Sequence, residues 1–174
     1  MDRLDRCRRS WSARLDRLTA YVEKEIMSDR TALAARPGLR LERRLGAPPD
    51  KVFSAWTRPA EIARWFGPSG AHSVTAEADA RVGGRYRIAF RTRDGERSEV
   101  GGVYLEIVPN EKLAFTWAWH STPERESRVT VLLEGDAGGT LLTLTHEKFF
   151  DEAARDRHRM GWAATLDKLE ALLT

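Results

Sequence analysis

The sequence lacks several features that define large classes of proteins. Cysteine occurs once in 174 residues, at Cys7, so the chain can form no internal disulfide. No apolar run approaches the roughly 18 residues that a membrane span needs. The first residues, MDRLDRCRRSW, also lack the apolar core of a secretory signal. We therefore expect a cytoplasmic protein that does not insert into membranes.

An excess of charge of one sign is missing as well. The 29 basic and 26 acidic residues leave a net charge of only +3, a field too weak to indicate a nucleic-acid partner. There is no HExxH motif, no paired cysteine and no GxSxG motif, and the four histidines are scattered. We therefore expect no metal, no cofactor, no catalytic nucleophile and no nucleic-acid partner.

A helical period is present near the amino terminus. Apolar residues recur there at steps of three, four or seven: Leu4, Trp11, Leu15, Leu18, Val22 and Ile26. The pattern predicts an amphipathic helical extension over residues 1–26, which needs another surface because one helix alone cannot bury its apolar stripe. A homodimer formed through this helix is one solution. Residues 27–38 have the mixed polarity of a linker, and Met27 is an alternative translation start.

From Leu39 onward the pattern predicts one α+β domain over residues 39–174. A first strand, LRLERRL, is followed by two short helices that begin at prolines, within GAPPDKVFSAWTRPAEIARWFGPSG. Six further strands then follow, with turn signals such as Asp94-Gly95 between them. The chain ends on one long helix, DEAARDRHRMGWAATLDKLEALLT, which Asp151 is placed to cap.

The glycine pair in ADARVGGRYRIAF has two interpretations. Paired glycines can cradle a phosphate, but such a loop passes from a strand into a helix. Gly83-Gly84 passes into a strand instead. We therefore expect these glycines to bend the chain into the sheet or to form a bulge.

Alternation in the strands indicates which side chains face inward. Phe115, Trp117 and Trp119 share one face of their strand, and the final helix carries a matching stripe that includes His158 and Trp162. The predicted sheet is therefore apolar on one face, and the last helix covers it. The aromatic side chains are interpreted either as plain core or as the lining of a ligand cavity.

The order of these elements resembles the helix-grip fold of the START/SRPBCC superfamily. Within it the chain is similar to the family related to activators of the heat-shock protein 90 ATPase. The stretches that carry the resemblance are APPDKVFSAWTRPAEIARWFGP, DARVGGRYRIAF, GGVYLEIVPNEKLAFTWAW, GGTLLTLTHEKF and HRMGWAATLDKLEALL. The resemblance implies a curved antiparallel sheet of about seven strands around a long terminal helix, enclosing a pocket for a small hydrophobic molecule.

A second resemblance covers the extension. RRSWSARLDRLTAYVEKE is similar to the terminal helix of ArsR-type winged-helix repressors. No helix-turn-helix precedes it, so this resemblance implies no DNA binding. The extension is interpreted as a relic of a fusion, a misassigned start or a dimerisation helix.

Three functions remain open. The first is a binding module for a small hydrophobic or aromatic ligand, the second a co-chaperone-like or stress-response partner of a chaperone ATPase, and the third a cyclase or hydrolase that uses a pocket histidine. The non-catalytic binding module is the preferred hypothesis. If it is right, a bulky replacement of Gly161, or Trp162→Ala, should change the affinity for the ligand more than the stability of the fold. The predicted pocket residues are Trp65, Phe66, Tyr86, Phe90, Phe115, Trp117, Trp119, His146, His158, Gly161 and Trp162.

Overall fold

The computed structural model describes residues 36–174 together with Glu23. The extension predicted over residues 1–26 lies, apart from Glu23, outside the described residues, as does most of the predicted linker. The described elements are β1 Leu39–Leu45, α1 Pro49–Thr57, α2 Pro59–Trp65, β2 His72–Ala78, β3 Arg85–Arg91, β4 Arg97–Val108, β5 Lys112–Trp119, β6 Ser127–Asp136, β7 Gly139–Glu147 and α3 Glu152–Leu173.

Local sequence signals account for where the helices begin and end. Pro49 and Pro59 occupy the first turns of α1 and α2, where a missing backbone N–H costs nothing. Gly67 follows α2 with φ of 101°, a conformation that favours glycine. The Asp151 carboxylate caps α3 by accepting from the Ala154 N–H at 2.6 Å. These predicted boundaries are confirmed.

The seven strands form one antiparallel sheet in the order β1-β7-β6-β5-β4-β3-β2. The sheet curls into a half-barrel, and the apolar face of α3 packs into it through Trp162, Leu166 and Leu169. The α+β helix-grip architecture predicted from the sequence is confirmed. Within residues 36–174, no helix is long and apolar enough to span a bilayer.

The glycine pair builds a tight turn into β3. Gly83 has φ of 82°, and a Cβ on Gly84 would overlap the carbonyl oxygen of Asp79. The turn is tied to β4, because the Gly83 N–H donates to the Tyr104 carbonyl at 2.8 Å and the Tyr104 N–H donates to the Gly84 carbonyl at 2.9 Å. The prediction that these glycines shape the sheet is confirmed.

Strict alternation in GGVYLEIV predicts Val103, Leu105 and Ile107 on one face of β4 and Glu106 on the other, at the surface, and this prediction is wrong at Val103 and Leu105. Tyr104 is buried instead, and Leu105 is exposed. The register of β4 against β5 shifts between Tyr104 and Glu106, which is a β-bulge. Because a bulge inserts one extra residue, it exchanges the two faces of the strand. The expected surface position of Glu106 still holds, and its carboxylate pairs with Lys112 at 2.8 Å.

Candidate functional site

An open cleft lies between α3 and the inner face of the sheet. We call it the main cleft; its volume is about 210 Å³. It lies beside Gly161, where a Cβ would meet no atom within 4 Å. Its lining is mostly aromatic and consists of Phe66, Gly67, Pro68, Phe90, Trp117, Trp119, Arg157, His158, Gly161, Trp162 and Thr165.

Seven of the eleven predicted pocket residues line the main cleft: Phe66, Phe90, Trp117, Trp119, His158, Gly161 and Trp162. Their rings contact one another closely. The Trp117 ring centroid lies 5.0 Å from that of Trp162 and 5.7 Å from that of Trp119. Phe66 packs edge-on against Trp162 at 6.3 Å. Such tilted and edge-to-face pairs hold the walls in fixed positions.

The other four predicted residues lie elsewhere in the core. Trp65 is 1% exposed, and its indole N–H donates to the Ala55 carbonyl at 2.9 Å. With Tyr86 and Phe115 it borders a deeper space of only about 20 Å³, which is room for one water molecule. The Tyr86 hydroxyl, whose pKa burial raises well above its ordinary value, donates to the Thr116 carbonyl at 2.7 Å. The position of Trp65 and Phe66 before Gly67-Pro68 in the sequence fits either a mouth of the pocket or a seal at the end of the barrel, and the burial of Trp65 favours the seal.

His146, the fourth of these residues, has both ring nitrogens in hydrogen bonds within the core. The Trp162 indole N–H donates to His146 Nδ1 at 3.0 Å, so the ring proton sits on Nε2. Nε2 then donates to Ser127 Oγ at 2.8 Å, and Ser127 donates to the Trp117 carbonyl at 3.1 Å. Burial lowers the pKa of His146 well below its ordinary value, and nearby His158 lowers this pKa further.

His158 is fixed in the same way at the edge of the main cleft. The Trp119 indole N–H donates to His158 Nε2 at 3.0 Å, so the ring proton sits on Nδ1. Nδ1 donates to the Ala154 carbonyl, one helical turn earlier, at 2.7 Å. Burial lowers the pKa of His158, and the charge of Arg157 lowers it too, although the Ala154 carbonyl acts in the opposite direction.

Neither histidine has a ring nitrogen available for acid–base chemistry. A general base needs a lone pair within reach of the substrate proton. In both rings that lone pair accepts from a tryptophan, and the opposite N–H is donated to a protein oxygen. The arrangement therefore disfavours the predicted enzyme that uses a pocket histidine. Among residues 36–174, no group of three His, Cys, Asp or Glu side chains is arranged to hold a metal ion.

A second opening, which we call the side cleft, adjoins the main cleft. It has a volume of about 200 Å³ and lies beneath the segment that joins β7 to α3. The two clefts share four residues, Trp117, Trp119, Arg157 and His158. The Trp119–His158 hydrogen bond belongs to the wall common to both. Arg125, at the rim of the side cleft, stands over the Phe150 ring at 4.3 Å.

The sequence prediction missed several residues at the site. Trp56 on α1 stacks on Trp162 at 5.9 Å, and the Phe149 ring lies 4.1 Å from that of His146. Arg157 borders both clefts. Thr165 donates to the Gly67 carbonyl at 2.9 Å. The apolar and aromatic character of α1 was visible in the sequence, but the approach of α1 to α3 depends on tertiary packing.

Comparisons with known proteins agree with this architecture. The sequence profile of the family described as Activator of Hsp90 ATPase homolog 1-like protein matches residues 46–174. A search of curated proteins found no match.

Solved structures give the same result. The chain is similar to the AHSA1 protein from Silicibacter pomeroyi, with 33% identity, a TM-score of 0.69, and 79% of this chain and 97% of that one covered. A protein from Chromobacterium violaceum is 31% identical, also with a TM-score of 0.69 and coverage of 79% and 97%. A Rhizobium leguminosarum protein is 31% identical, with a TM-score of 0.65 and coverage of 79% and 94%.

Proposed function

This chain belongs to the Activator of Hsp90 ATPase homolog 1-like family, and we propose that it is a non-catalytic binding module for a small apolar or aromatic molecule. The ligand lies in the main cleft, between α3 and the sheet. Family membership supports a ligand-binding or co-chaperone-like module. The observation that favours binding is the open space at Gly161 within otherwise aromatic walls.

Burial of apolar surface drives this binding. A bicyclic ring of indole size buries about 200 Å² when enclosed, worth about 5 kcal/mol at roughly 25 cal/mol per Å². That figure alone corresponds to a Kd of roughly 0.2 mM. The walls are already ordered by hydrogen bonds at Trp119, Trp162 and Thr165, so binding costs little reordering of the protein.

Native mass spectrometry tests this function. The protein is purified from its own host and measured before and after mild organic extraction. We expect an adduct of one small molecule that extraction removes, and its mass names the ligand class. A protein that carries no adduct and also binds no aromatic probe in calorimetry contradicts the proposal.

A co-chaperone-like role is the second candidate, and one surface feature favours it. The sheet face opposite the main cleft carries a groove of about 560 Å³ beside Gly101 and Gly102, bordered by charged side chains that include Arg87 and Glu99. Arg87 and Glu99 form a bidentate ion pair at 2.6 and 2.7 Å. A protein partner would contact this groove, whereas a small apolar ligand would not.

An ATPase assay separates the two candidates. Under the co-chaperone account, adding the domain to an Hsp90-type chaperone changes its ATPase rate, and Arg87→Glu removes the change while Gly161→Leu leaves it. No response of the ATPase rate to the domain excludes this candidate. A response lost in Gly161→Leu but kept in Arg87→Glu would place the effect in the main cleft instead.

A further inference from the structure

The charged side chains that line the two clefts are arginines. Arg157 borders both, and Arg125 borders the side cleft. No Asp or Glu side chain is among the described residues that line either one. The charged side chains of the lining are therefore basic, and neighbouring acidic side chains lie outside it, where Glu124 pairs with Arg125 at 3.7 Å and Asp156 pairs with Arg155 at 2.9 Å.

Three hydrogen-bond acceptors on the cleft walls already have a donor. His158 Nε2 accepts from Trp119, and the Gly67 carbonyl accepts from Thr165. The Trp117 carbonyl accepts from Ser127 at 3.1 Å. A ligand that brings only donors therefore finds these groups occupied.

Donors, by contrast, remain available. The Trp117 indole N–H is buried and has no hydrogen-bond partner among the described residues. Arg157 forms no ion pair within residues 36–174, whereas Arg155, two residues earlier on α3, pairs with Asp156 at 2.9 Å and with Glu152 at 3.7 Å. Arg157 is close enough to His158 for its charge to act on that ring. A wall on which the Trp117 indole N–H and the Arg157 guanidinium lack a partner within residues 36–174 suits a ligand that carries acceptor oxygens.

We propose that the ligand of the main cleft is an apolar molecule with an anionic head group, such as an aromatic or short acyl carboxylate, and that Arg157 holds that head group at the mouth. This inference rests on the proposed function and narrows its ligand class. The apolar body packs against Trp117, Trp162 and the open space at Gly161. The carboxylate stays near water, because Arg157 is itself an exposed residue.

Two probes of nearly equal shape test this inference. 2-Naphthoate carries a carboxylate, and 2-naphthamide carries a neutral amide in the same place, so their affinities differ mainly through charge. Isothermal titration calorimetry at low salt should give a Kd for naphthoate roughly three- to fivefold below that for naphthamide, the upper range expected for an ion pair at an exposed side chain. Raising the salt concentration should reduce the preference.

Variants assign the preference to one residue. Arg157→Gln should bring the two affinities within about twofold of each other, chiefly by weakening the binding of naphthoate. Arg159→Gln is the matched control, because it removes the same charge from an exposed position of α3 that borders neither cleft. It should keep the preference.

The outcomes separate this inference from the proposed function. Equal binding of both probes to the unmodified protein overturns the head-group inference and leaves the binding module intact. A preference that survives in Arg157→Gln, or that is lost equally in Arg159→Gln, overturns the role of Arg157. Failure of both probes to bind contradicts the proposed function itself.

Discussion

Gly161 offers the sharpest test of whether the main cleft is a binding site or an accident of packing. It lies in the middle of α3, has ordinary helical geometry, and a Cβ there meets nothing within 4 Å. Glycine inside a helix is destabilising by about 0.5–1 kcal/mol relative to alanine. Replacing Gly161 with alanine or leucine should therefore raise the free energy of unfolding by about that amount, since both are strong helix formers.

The affinity for the ligand should fall in the same variants, although their stability rises. A leucine side chain at 161 projects into the main cleft and takes space that a bicyclic ligand needs. The ligand then loses contact area, and loss of half of the estimated 5 kcal/mol weakens binding roughly 70-fold. Alanine fills much less of the cleft and should weaken binding by less than about tenfold.

The assay combines urea unfolding, followed by tryptophan fluorescence, with calorimetric titration of 2-naphthamide. Ala153→Leu is the control, because it adds the same side-chain type to an exposed position of the same helix. It should change neither property much. If Gly161→Leu binds the probe as tightly as the unmodified protein, or loses stability and affinity together, the cleft is not the binding site that we describe.

Three further predictions address the core. The native state holds the pKa of His146 below the unfolded value near 6.5. The contribution of His146 to stability is therefore fully present above pH 6.5, and it is lost as the pH is lowered further, by about 1.4 kcal/mol per pH unit while the folded ring stays neutral. An NMR titration of His146 with an ordinary midpoint would contradict this. Gly84→Ala should cost more than about 2 kcal/mol in urea unfolding, because its Cβ meets the Asp79 carbonyl; an unchanged midpoint would refute the steric argument. Trp119→Phe removes the N–H that donates to His158 Nε2 in the neutral ring, so the pKa of His158 should rise. An NMR titration measures this pKa, and an unchanged or lower value would show that the hydrogen bond does not favour the neutral ring.

Much of the fold was predictable because its signals are local. The strand β7 has the bounds that alternation and its flanking glycines indicate, and α1 and α2 begin at their prolines. The β4 bulge at Tyr104 was not predictable, because it arises from pairing with β5 rather than from the β4 sequence. Local pattern therefore gives the elements, and strand pairing decides which faces they present.

The candidate site was predictable only as a region. Aromatic alternation indicated the apolar wall, but the roles of His146 and Trp162 depend on the register that brings the end of β7 beside the middle of α3. Trp162 is 4% exposed and donates to that histidine, so Trp162→Ala should cost about 3–5 kcal/mol of stability. Because this change removes core packing as well as a wall of the main cleft, it separates affinity from stability less clearly than a change at Gly161 does.

The proposed function requires an apolar ligand to lie between α3 and the sheet, at Gly161. An NMR titration of the ¹⁵N-labelled protein with 2-naphthoate tests it most directly. We expect the largest shifts at the Gly161 amide and at the indole N–H groups of Trp117 and Trp119, with the indole N–H of the interior Trp65 little changed. Shifts confined to the outer groove around Arg87, or no shifts at all, would contradict the account.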